Sequence, residues 1–561
     1  MIGATASKAH TPVLIVGAGP VGLALAGELA WRGVACTLIE KTDGAITQPK
    51  MDLIGPRTME FCRRWGIAEQ VKNCPYNPDH PQDNVWLESL VGYEFGREVF
   101  PAPRNAKPPA QSPVGRERCP QDMFDPILRR WVESMPAATL RYQTTLVSFV
   151  ERMDGVTAVV RNEAGDEETI EADFLVGADG GASTVRQALG ITMTGNVALT
   201  YTTNVIFRCP GFWQLHDKKK GYRFIFIGPG GTWCTLVAID GHDRYRFSII
   251  GDETRHTLSE GDVQQAIIRA MGKDFDFKIQ SIVPWVRREM IADSYGTRRV
   301  FLTGDAAHLN SPTGAFGMNT GMQDSVDLGW KLAATVQGWG GQRLLESYEL
   351  ERRPVAVRNV AEATANLRRM LSSREKLSPL VFEKSAAGDA AREEFGDFYT
   401  AIMKHEWFTL SIHLGYLYDQ SPIVCPDGTP APNDPPMAYT QTARPGSRAP
   451  HIWLKPGVST LDLFGRGYVL LRFDPSADVA PIDDAARKRS VPLEVIDVAD
   501  DAAREVYVNS LVLVRPDGFV GWRADQLPDD AIGLIDIVRG EYFHSGQFGG
   551  SNVVMTRSPH R

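Results

Sequence analysis

The stretch PVLIVGAGPVG, residues 12–22, decides the fold of this chain. Pro12 to Val16 is a short apolar run that predicts a buried strand, and the glycines after it open a predicted helix from Gly19 to Trp31. Ala35 to Glu40 is a second apolar run, which predicts the next strand. A strand, a glycine turn, a helix and a strand form a βαβ unit, so the sequence predicts an α/β fold with a Rossmann-like domain.

The spacing of Gly17, Gly19 and Gly22 indicates a dinucleotide site. The first glycine permits a tight turn, the second lets backbone approach a pyrophosphate, and the third allows close helix–strand packing. The helix N-terminus adds about half a positive charge. Val21 lies inside this turn, and Glu40, at the end of the next strand, is placed to hold a ribose hydroxyl. The motif indicates a dinucleotide and leaves FAD and NAD open.

Two later segments carry glycines and carboxylates directly after predicted strands. They are VGADGGASTVR, residues 176–186, and GDAAHLNSPTGAFGMN, residues 304–319. Alone, an Asp-Gly pair is most often a plain turn. Together, the order and spacing of the three segments resemble the FAD-dependent aromatic-ring hydroxylases, the para-hydroxybenzoate and phenol hydroxylase family. The resemblance runs from Pro12 to about Val554, and the central strands are its least specific part.

The resemblance implies that the three segments hold one FAD. In the family, the Asp-Gly motif lies where the nicotinamide cofactor approaches the flavin. Asp179, Gly180 and Arg186 match that motif.

The third segment matches the part of the family that surrounds the flavin ring. Asp305 is expected at a ribityl hydroxyl, and Pro312 against the isoalloxazine and the substrate ring. The backbone N–H groups of Gly317, Met318 and Asn319 are expected at the flavin pyrimidine edge. A helix N-terminus there would meet the negative charge of the reduced flavin.

Residues 49–60 resemble the family's flavin-contacting loop, and Gln121 matches a glutamine on the flavin side. Many members carry Arg where this chain has Lys50, so the charge is kept but the planar fork is lost. Arg57 is expected at the cofactor. Asp52 stands five positions before Arg57, as does an acidic residue of the phenol hydroxylase branch that helps to ionise the substrate phenol. The alternative is an ordinary loop aspartate beside an arginine.

Short alternating strands with glycine-rich turns predict an antiparallel sheet from residue 200 to residue 250. We expect this sheet to carry the substrate pocket. Four side chains on or next to its strands are candidate lining residues, with a purely structural role as the alternative for each: Tyr222, Arg223, Trp233 and Thr235.

The composition excludes several classes of partner. The 561 residues carry a formal charge of −8 without a long Lys or Arg block, which argues against nucleic acid. Seven scattered cysteines include no C-x-x-C pair and no His-Cys cluster, so no metal site is predicted. Residues 1–11 are polar, and the apolar run after them is broken by glycines and Glu28, so neither a signal peptide nor a membrane span is predicted. We expect a cytoplasmic protein.

The predicted domains are discontinuous. An FAD-binding domain takes residues 11–75, 105–190 and 285–370, and a mostly antiparallel substrate domain takes 76–104 and 191–284. A helical connection, 371–425, and a proline-rich linker, 426–445, lead to residues 446–561. That tail resembles the thioredoxin-like domain of longer family members. It lacks cysteine, so we expect a role in packing or in a homodimer contact.

The function implied by the resemblance is FAD-dependent hydroxylation of an aromatic, first of all a phenolic, substrate. NADH or NADPH would reduce the flavin, and dioxygen would add to it as a C4a-hydroperoxide that transfers one oxygen to the ring. One alternative is Baeyer–Villiger insertion or epoxidation on a polycyclic natural product. Another, of a different class, is a flavin-binding interaction protein without turnover. The sequence leaves open the identity of the ring, the choice of NADH or NADPH, and the oligomeric state.

Overall fold

The computed structural model describes residues 9–542, so the first eight residues of the predicted polar start and residues 543–561 of the predicted C-terminal domain lie outside the described residues. A seven-stranded sheet, called here the N-terminal sheet, combines five parallel strands with an antiparallel extension at one edge. In spatial order its strands are Ala138–Arg141, Cys36–Ile39, Ala9–Val16, Glu167–Gly177, Val156–Arg161 and Thr145–Glu151, with Val300–Leu302 paired to the end of Glu167–Gly177.

The predicted βαβ unit is confirmed. Strand Ala9–Val16 leads through the glycine turn into helix Pro20–Trp31, and strand Cys36–Ile39 follows beside the first. The helix starts with proline at its first position, where a missing N–H costs nothing. It packs closely on helix Gln121–Glu133, because a Cβ at Gly27 would lie 1.9 Å from the Trp131 ring.

Eight strands form the central sheet, which is antiparallel except for one pair, Arg223–Gly228 with Asn84–Leu87. All four strands predicted between residues 200 and 250 lie in it. In spatial order its strands are His308–Leu309, Lys278–Ala292, Met193–Arg208, Arg244–Ile250, Gly231–Ala238, Arg223–Gly228, Asn84–Leu87 and Glu94–Glu98.

Two long helices cover the junction of the sheets. Phe316–Val336 is buried along most of its length and packs on helix Pro20–Trp31, and Ser347–Leu371 packs on both Phe316–Val336 and the central sheet. The chain then continues into helix Ala386–Trp407. The other α-helices are Pro56–Arg64, Ala68–Lys72, Thr184–Ala188, Glu260–Met271, Leu410–Leu414, Ala480–Lys488, Asp501–Tyr507 and Ala531–Val538. Short 3₁₀ turns are Pro103–Asn105, Phe212–Gln214, Gly304–Ala306, Leu344–Glu346, Ser372–Lys376, Pro379–Phe382 and Thr460–Leu463.

A separate four-stranded sheet forms in the tail. Its spatial order is Leu493–Asp497, Tyr468–Arg472, Leu511–Val514 and Val520–Ala524, and the two-stranded ribbons Leu53–Ile54 with Glu117–Arg118 and Trp453–Lys455 with Val458–Ser459 complete the strands. Residues 426–445 form neither helix nor strand, as the crowding of prolines predicts. The domain bounds and the thioredoxin-like assignment stay predictions.

Buried ion pairs fasten the tail to the rest of the molecule. Arg448 pairs with Glu60, and Arg515 donates to both carboxylate oxygens of Glu351 at 2.6 and 2.8 Å. All four side chains are buried, so removing one partner would leave the other with less compensation for its buried charge. Among residues 9–542, no helix is both long and apolar enough to cross a membrane.

Candidate active site

Four parallel strands of the N-terminal sheet end at one edge, and each end carries a predicted motif. Strand Ala9–Val16 leads to Gly17, Cys36–Ile39 to Glu40, Glu167–Gly177 to Asp179, and Val300–Leu302 to Asp305. Loops at the carboxyl ends of parallel strands form the usual ligand site of such sheets. The predicted convergence of the three segments is therefore confirmed as geometry.

The glycine turn is packed as the motif requires. Gly17 has φ +107°, and a Cβ there would lie 2.5 Å from the Ala178 carbonyl oxygen of the second segment. A Cβ at Gly22 would lie 1.9 Å from the Gly17 carbonyl oxygen, whereas one at Gly19 would meet no atom within 4 Å. Two of the glycines are thus needed for packing, and the third leaves open space in front of a helix N-terminus that no side chain caps.

Glu40 and Val21 join this turn to its neighbours. The Glu40 carboxylate accepts the N–H of Ala18 at 2.9 Å, so it lies beside the turn as predicted. Val21 touches the third segment: a Cβ at Gly304 would lie 3.1 Å from its side chain, and its carbonyl accepts the hydroxyl of Ser325 at 2.8 Å.

The Asp-Gly segment forms a capped turn. One oxygen of Asp179 accepts the Thr184 N–H at 2.7 Å, while the other is buried without a partner in the described structure. Gly180 has φ +80°. Arg186 donates to the carbonyl oxygens of Ala306 and Gly181 at 2.9 and 3.0 Å, which fixes the second segment against the third.

The third segment ends in a left-handed residue that starts the long helix. Ala315 has φ +58°, an uncommon conformation for a residue with a Cβ, and it places Gly317 and Met318 in the first turn. Their N–H groups have no partner inside the helix, as predicted for an anion-binding end. Asp305 is exposed, and Pro312 lies in the turn before the helix.

Asn319 differs from the prediction. Because the helix cap is Ala315, the backbone N–H of Asn319 falls one position too late to be free. Its buried side chain instead accepts the N–H of Gly55 at 2.8 Å and donates to the Leu53 carbonyl at 3.1 Å. Asn319 thus fixes the loop that carries Asp52 rather than offering a backbone donor.

The segment of residues 48–57, which leads into helix Pro56–Arg64, is a further part of the site. The buried side chain of Gln121 accepts the Lys50 N–H at 3.1 Å and donates to Asp125 at 3.1 Å. Burial raises the pKa of Asp125 to about 7. The Lys50 side chain is exposed, and its Nζ lies 5.9 Å from the centre of the Trp285 ring.

Arg57 also differs from the prediction. It is buried in helix Pro56–Arg64, donates to Glu60 at 2.8 Å and to the Asp517 carbonyl at 2.8 Å, and lies over the Phe519 ring. Its bonds face the tail and not the cofactor side. Arg57 therefore attaches the tail to the helix that follows the Asp52 loop.

A cavity of about 1070 Å³ lies between one face of the central sheet and the loop that carries Lys50 and Asp52. Six of the predicted site residues line it: Lys50, Asp52, Tyr222, Arg223, Thr235 and Pro312. Residues 313–315, at the start of the long helix, also line it. The cavity thus joins the flavin-side loop to the central sheet.

Asp52 is held by three partners in the wall of this cavity. The Tyr222 hydroxyl donates to it at 2.5 Å, Arg246 at 3.0 Å and Arg118 at 3.2 Å. Burial alone would raise the pKa of the Asp52 carboxyl, but the Arg246 and Arg118 guanidinium groups outweigh burial and hold that pKa below its usual value. Asp52 is therefore ionised and a weak base at neutral pH.

Trp233 does not reach the cavity. A β-bulge between Phe226 and Ile227 shifts the register of the paired strands, and the Trp233 ring packs on Phe247 and under Arg269 on the opposite side of the sheet. Arg223 points inward and pairs with Glu406 at 2.7 Å.

Sequence reasoning missed many charged or aromatic side chains of the cavity, among them Arg118, Arg246, Trp285, Arg287 and Glu406. Arg246 was within reach, since it alternates with buried Tyr245 and Phe247 on a predicted strand. Glu406 had no such signal, because it sits near the end of a helix more than 180 residues after its partner Arg223.

Comparison with known proteins decides the family. An FAD binding domain model matches residues 10–363, and an aromatic-ring hydroxylase C-terminal model matches residues 442–539. The chain belongs to the FAD-dependent aromatic-ring hydroxylases. The resemblance expected from the three segments is thus confirmed, and this hydroxylase is an FAD-dependent monooxygenase with a Rossmann-like FAD domain.

Relatives match the hydroxylase over nearly its whole length. It is 31% identical to the tetracenomycin A2 monooxygenase-dioxygenase of Streptomyces glaucescens, over 94% of this chain and 96% of the relative. It is 30% identical to the 2,4-dichlorophenol 6-monooxygenase of Delftia acidovorans, over 92% and 96%. The solved structure of RebC soaked with chromopyrrolic acid, with bound 7-carboxy-K252c, is 38% identical, with a TM-score of 0.89 over 95% of this chain and 100% of that one.

The residues present fit FAD. The open space at Gly19, the two uncapped helix N-termini and the unpartnered oxygen of Asp179 lie at the edge where the three segments meet. Backbone N–H groups and a positive dipole suit a pyrophosphate and a ring that becomes negative on reduction.

Proposed function

We propose that the enzyme hydroxylates a multi-ring aromatic compound with a phenolic hydroxyl, using NADH or NADPH and dioxygen. The observation that carries this proposal is the cavity of about 1070 Å³, in which the Asp52–Tyr222 pair faces the flavin-side turn at Pro312. Such a volume exceeds the need of a single phenol even with a flavin ring at one end. Relatives named for tetracenomycin and for a polyketide support a multi-ring substrate.

The groups at the strand-end edge of the N-terminal sheet would hold the cofactor. Gly19, at the open helix N-terminus, would take the pyrophosphate, with Gly17 and Gly22 shaping the turn by close packing, while Glu40 would hold a ribose hydroxyl and Asp305 the ribityl chain. Gly317 and Met318 would donate to the ring from the helix N-terminus. When bound, FAD supplies acceptance of a hydride and activation of dioxygen. The other assigned neighbours are Val21, Lys50, Gln121, Asp179, Gly180 and Arg186, of which Arg186 acts by fixing the two segments together.

Asp52 and its hydrogen-bond partners in the cavity would orient and activate the phenol. Tyr222 donates its proton to Asp52, so its oxygen is free to accept the substrate O–H. Arg118 lies 3.4 Å over the Tyr222 ring and, with Arg246, provides positive charge beside the developing phenolate. The phenol would release its proton to bulk water, because the Asp52 carboxylate is already engaged by the Tyr222 O–H, and the resulting phenolate would push electron density into its ring and favour attack on an electrophilic oxygen. Asp52 then acts by positioning Tyr222 and is not itself the base.

Exclusion of water is the other task of the cavity. Trp285, Trp407 and Phe408 lie among the lining residues, and Arg223 with Glu406 closes the wall beside Thr235. Apolar walls slow the loss of activated oxygen to water. Pro312 would lie against both the flavin ring and the substrate ring.

The alternatives have less support. No observation favours Baeyer–Villiger insertion or epoxidation, and full-length similarity to named monooxygenases argues against an interaction protein without turnover. The homodimer contact and the cytoplasmic location stay predictions, and the choice between NADH and NADPH stays open.

A panel of hydroxylated rings tests the proposal. Phenol, 1-naphthol, 1-hydroxyanthracene and a tetracyclic hydroxyquinone are each scored for stimulated oxidation of NADH and NADPH, and the products for gain of one oxygen by mass spectrometry. We expect coupled turnover to rise with ring number. Turnover confined to phenol would contradict the multi-ring assignment, and no oxygenated product from any ring would contradict hydroxylation.

A further inference from the structure

The cavity holds a buried arginine, Arg287, whose charge forms no ion pair in the described structure. Arg287 lies on strand Lys278–Ala292, opposite Thr200, and lines the cavity. The residue is only 5% exposed, and its Nε and Nη1 have no hydrogen-bond partner among residues 9–542. Because a buried unpaired charge is strongly destabilising, retention of this arginine points to an anion that comes from outside the polypeptide.

The neighbouring charges do not fill this role. Arg223 is paired with Glu406, and Arg246 with Asp52. Burial lowers the pKa of Arg287 to about 10, with the charges of Arg223 and Arg246 acting in the same direction against that of Glu406. Arg287 therefore keeps its proton at neutral pH and remains a cation.

The rest of the cavity favours an anion as well. Nine Lys and Arg side chains line it against four carboxylates, although the chain as a whole carries −8. Thr202, on the neighbouring strand, also lines the cavity, and its buried hydroxyl lacks a partner in the part of the chain that the structure describes. An anion at Arg287 would thus find a second donor close by.

We propose that Arg287 binds a carboxylate carried by the multi-ring substrate. Val283, Trp285 and Arg287 alternate along one strand and all line the cavity, so a flat ring system lying along this strand brings its acidic end to the guanidinium. A carboxylate matches the planar donors of arginine. The inference rests on the proposed function only in taking the ligand to be an aromatic substrate.

A matched pair of probes isolates the carboxylate. Anthracene-2-carboxylate and anthracene-2-carboxamide are titrated into the FAD-loaded enzyme, and dissociation constants are read from flavin absorbance. We expect the carboxylate to bind about 10- to 150-fold more tightly, as for a hydrogen bond to a charged group. Arg287→Met should abolish this preference with little effect on the carboxamide. The control is Arg104→Met, which removes an exposed cation from the cavity mouth and should keep the preference.

The direction of the Tm change in the ligand-free enzyme is an independent test of the Arg287 assignment. Removing an unpaired buried charge should raise the Tm of Arg287→Met or leave it unchanged, whereas a structural arginine would lower it or prevent folding. A fall in Tm, a failure to fold, or equal binding of the two probes to the unchanged enzyme would each overturn the assignment.

The binding assay needs no NADH, NADPH or turnover. An enzyme that prefers the carboxylate but oxygenates nothing would keep Arg287 and refute the hydroxylase proposal. One that hydroxylates neutral rings without preferring the carboxylate would refute Arg287 alone.

Discussion

Asp52→Asn separates positioning from base catalysis. The substitution keeps the shape of the side chain but removes the charge that accepts Tyr222 at 2.5 Å, Arg246 at 3.0 Å and Arg118 at 3.2 Å. A hydrogen bond to a charged group contributes about 1.5–3 kcal/mol, so loss of the Tyr222 orientation should slow hydroxylation about 10- to 150-fold. A general base would be expected to contribute about 10²- to 10⁴-fold.

The assay compares product formed and hydrogen peroxide released per NAD(P)H oxidised. The variant should keep FAD and its reduction but release more peroxide, because oxygen that is not transferred to the ring leaves in that form. Asp122→Asn, which breaks a similar pair with Arg244 outside the cavity, is the control. Tyr222→Phe should cost about as much, and the double variant little more than either single one.

The pH dependence gives the decisive sign. The pKa of Asp52 is lowered, so its ion pairs stabilise the protein above the unfolded pKa and are lost only as pH falls through the folded one. Wild type and Asp52→Asn should therefore share the same pH profile of kcat/KM between about pH 5 and pH 8. An acidic limb in that range that disappears in Asp52→Asn would refute positioning and restore Asp52 as the base. Equal rates and equal peroxide release would remove it from the site.

Three further substitutions test the cofactor site and the attachment of the tail. Gly19→Ala should fold with unchanged or slightly higher Tm yet bind FAD at least 10-fold more weakly, because its Cβ enters only the open space. Its control is Gly230→Ala, whose Cβ also meets no atom within 4 Å and which should keep FAD affinity. Asp305→Ala should weaken FAD retention, measured by released flavin fluorescence, while Cys425→Ser should not; equal retention would remove Asp305 from the site. Arg448→Met removes the Arg448–Glu60 hydrogen bonds while Glu60 keeps Arg57, so it should lower stability by about 1.5–3 kcal/mol in denaturant titrations, and an unchanged midpoint would contradict the interface.

The sequence predicted the strands, helix and glycine turn of the βαβ unit because local rules determine them. Gly17, Gly22 and Glu40 lie within one βαβ unit, so their spacing alone determines how they meet. Asp52 was a candidate from the family pattern and Tyr222 from its place on the predicted sheet, and the structure joins them at 2.5 Å across 170 residues.

The errors have physical causes that spacing does not reveal. Arg57 turns toward the tail because residues 517–519 pack on its helix, a contact between parts of the chain 460 residues apart. Trp233 changes face at a β-bulge, and Asn319 follows a cap set by the left-handed Ala315. Arg287 was missed because the sequence does not show that its buried guanidinium lacks a hydrogen-bond partner.

Isotope labelling tests the central claim most directly. The FAD-loaded enzyme is incubated with NADPH or NADH and the panel compound of highest coupled turnover under ¹⁸O₂ in ordinary water. The mass of the product is then measured by mass spectrometry. Hydroxylation in this cavity predicts one labelled oxygen on a ring carbon and none when the label is supplied as water. A product that takes its oxygen from water, or flavin reduction that yields only hydrogen peroxide with every ring, would contradict it.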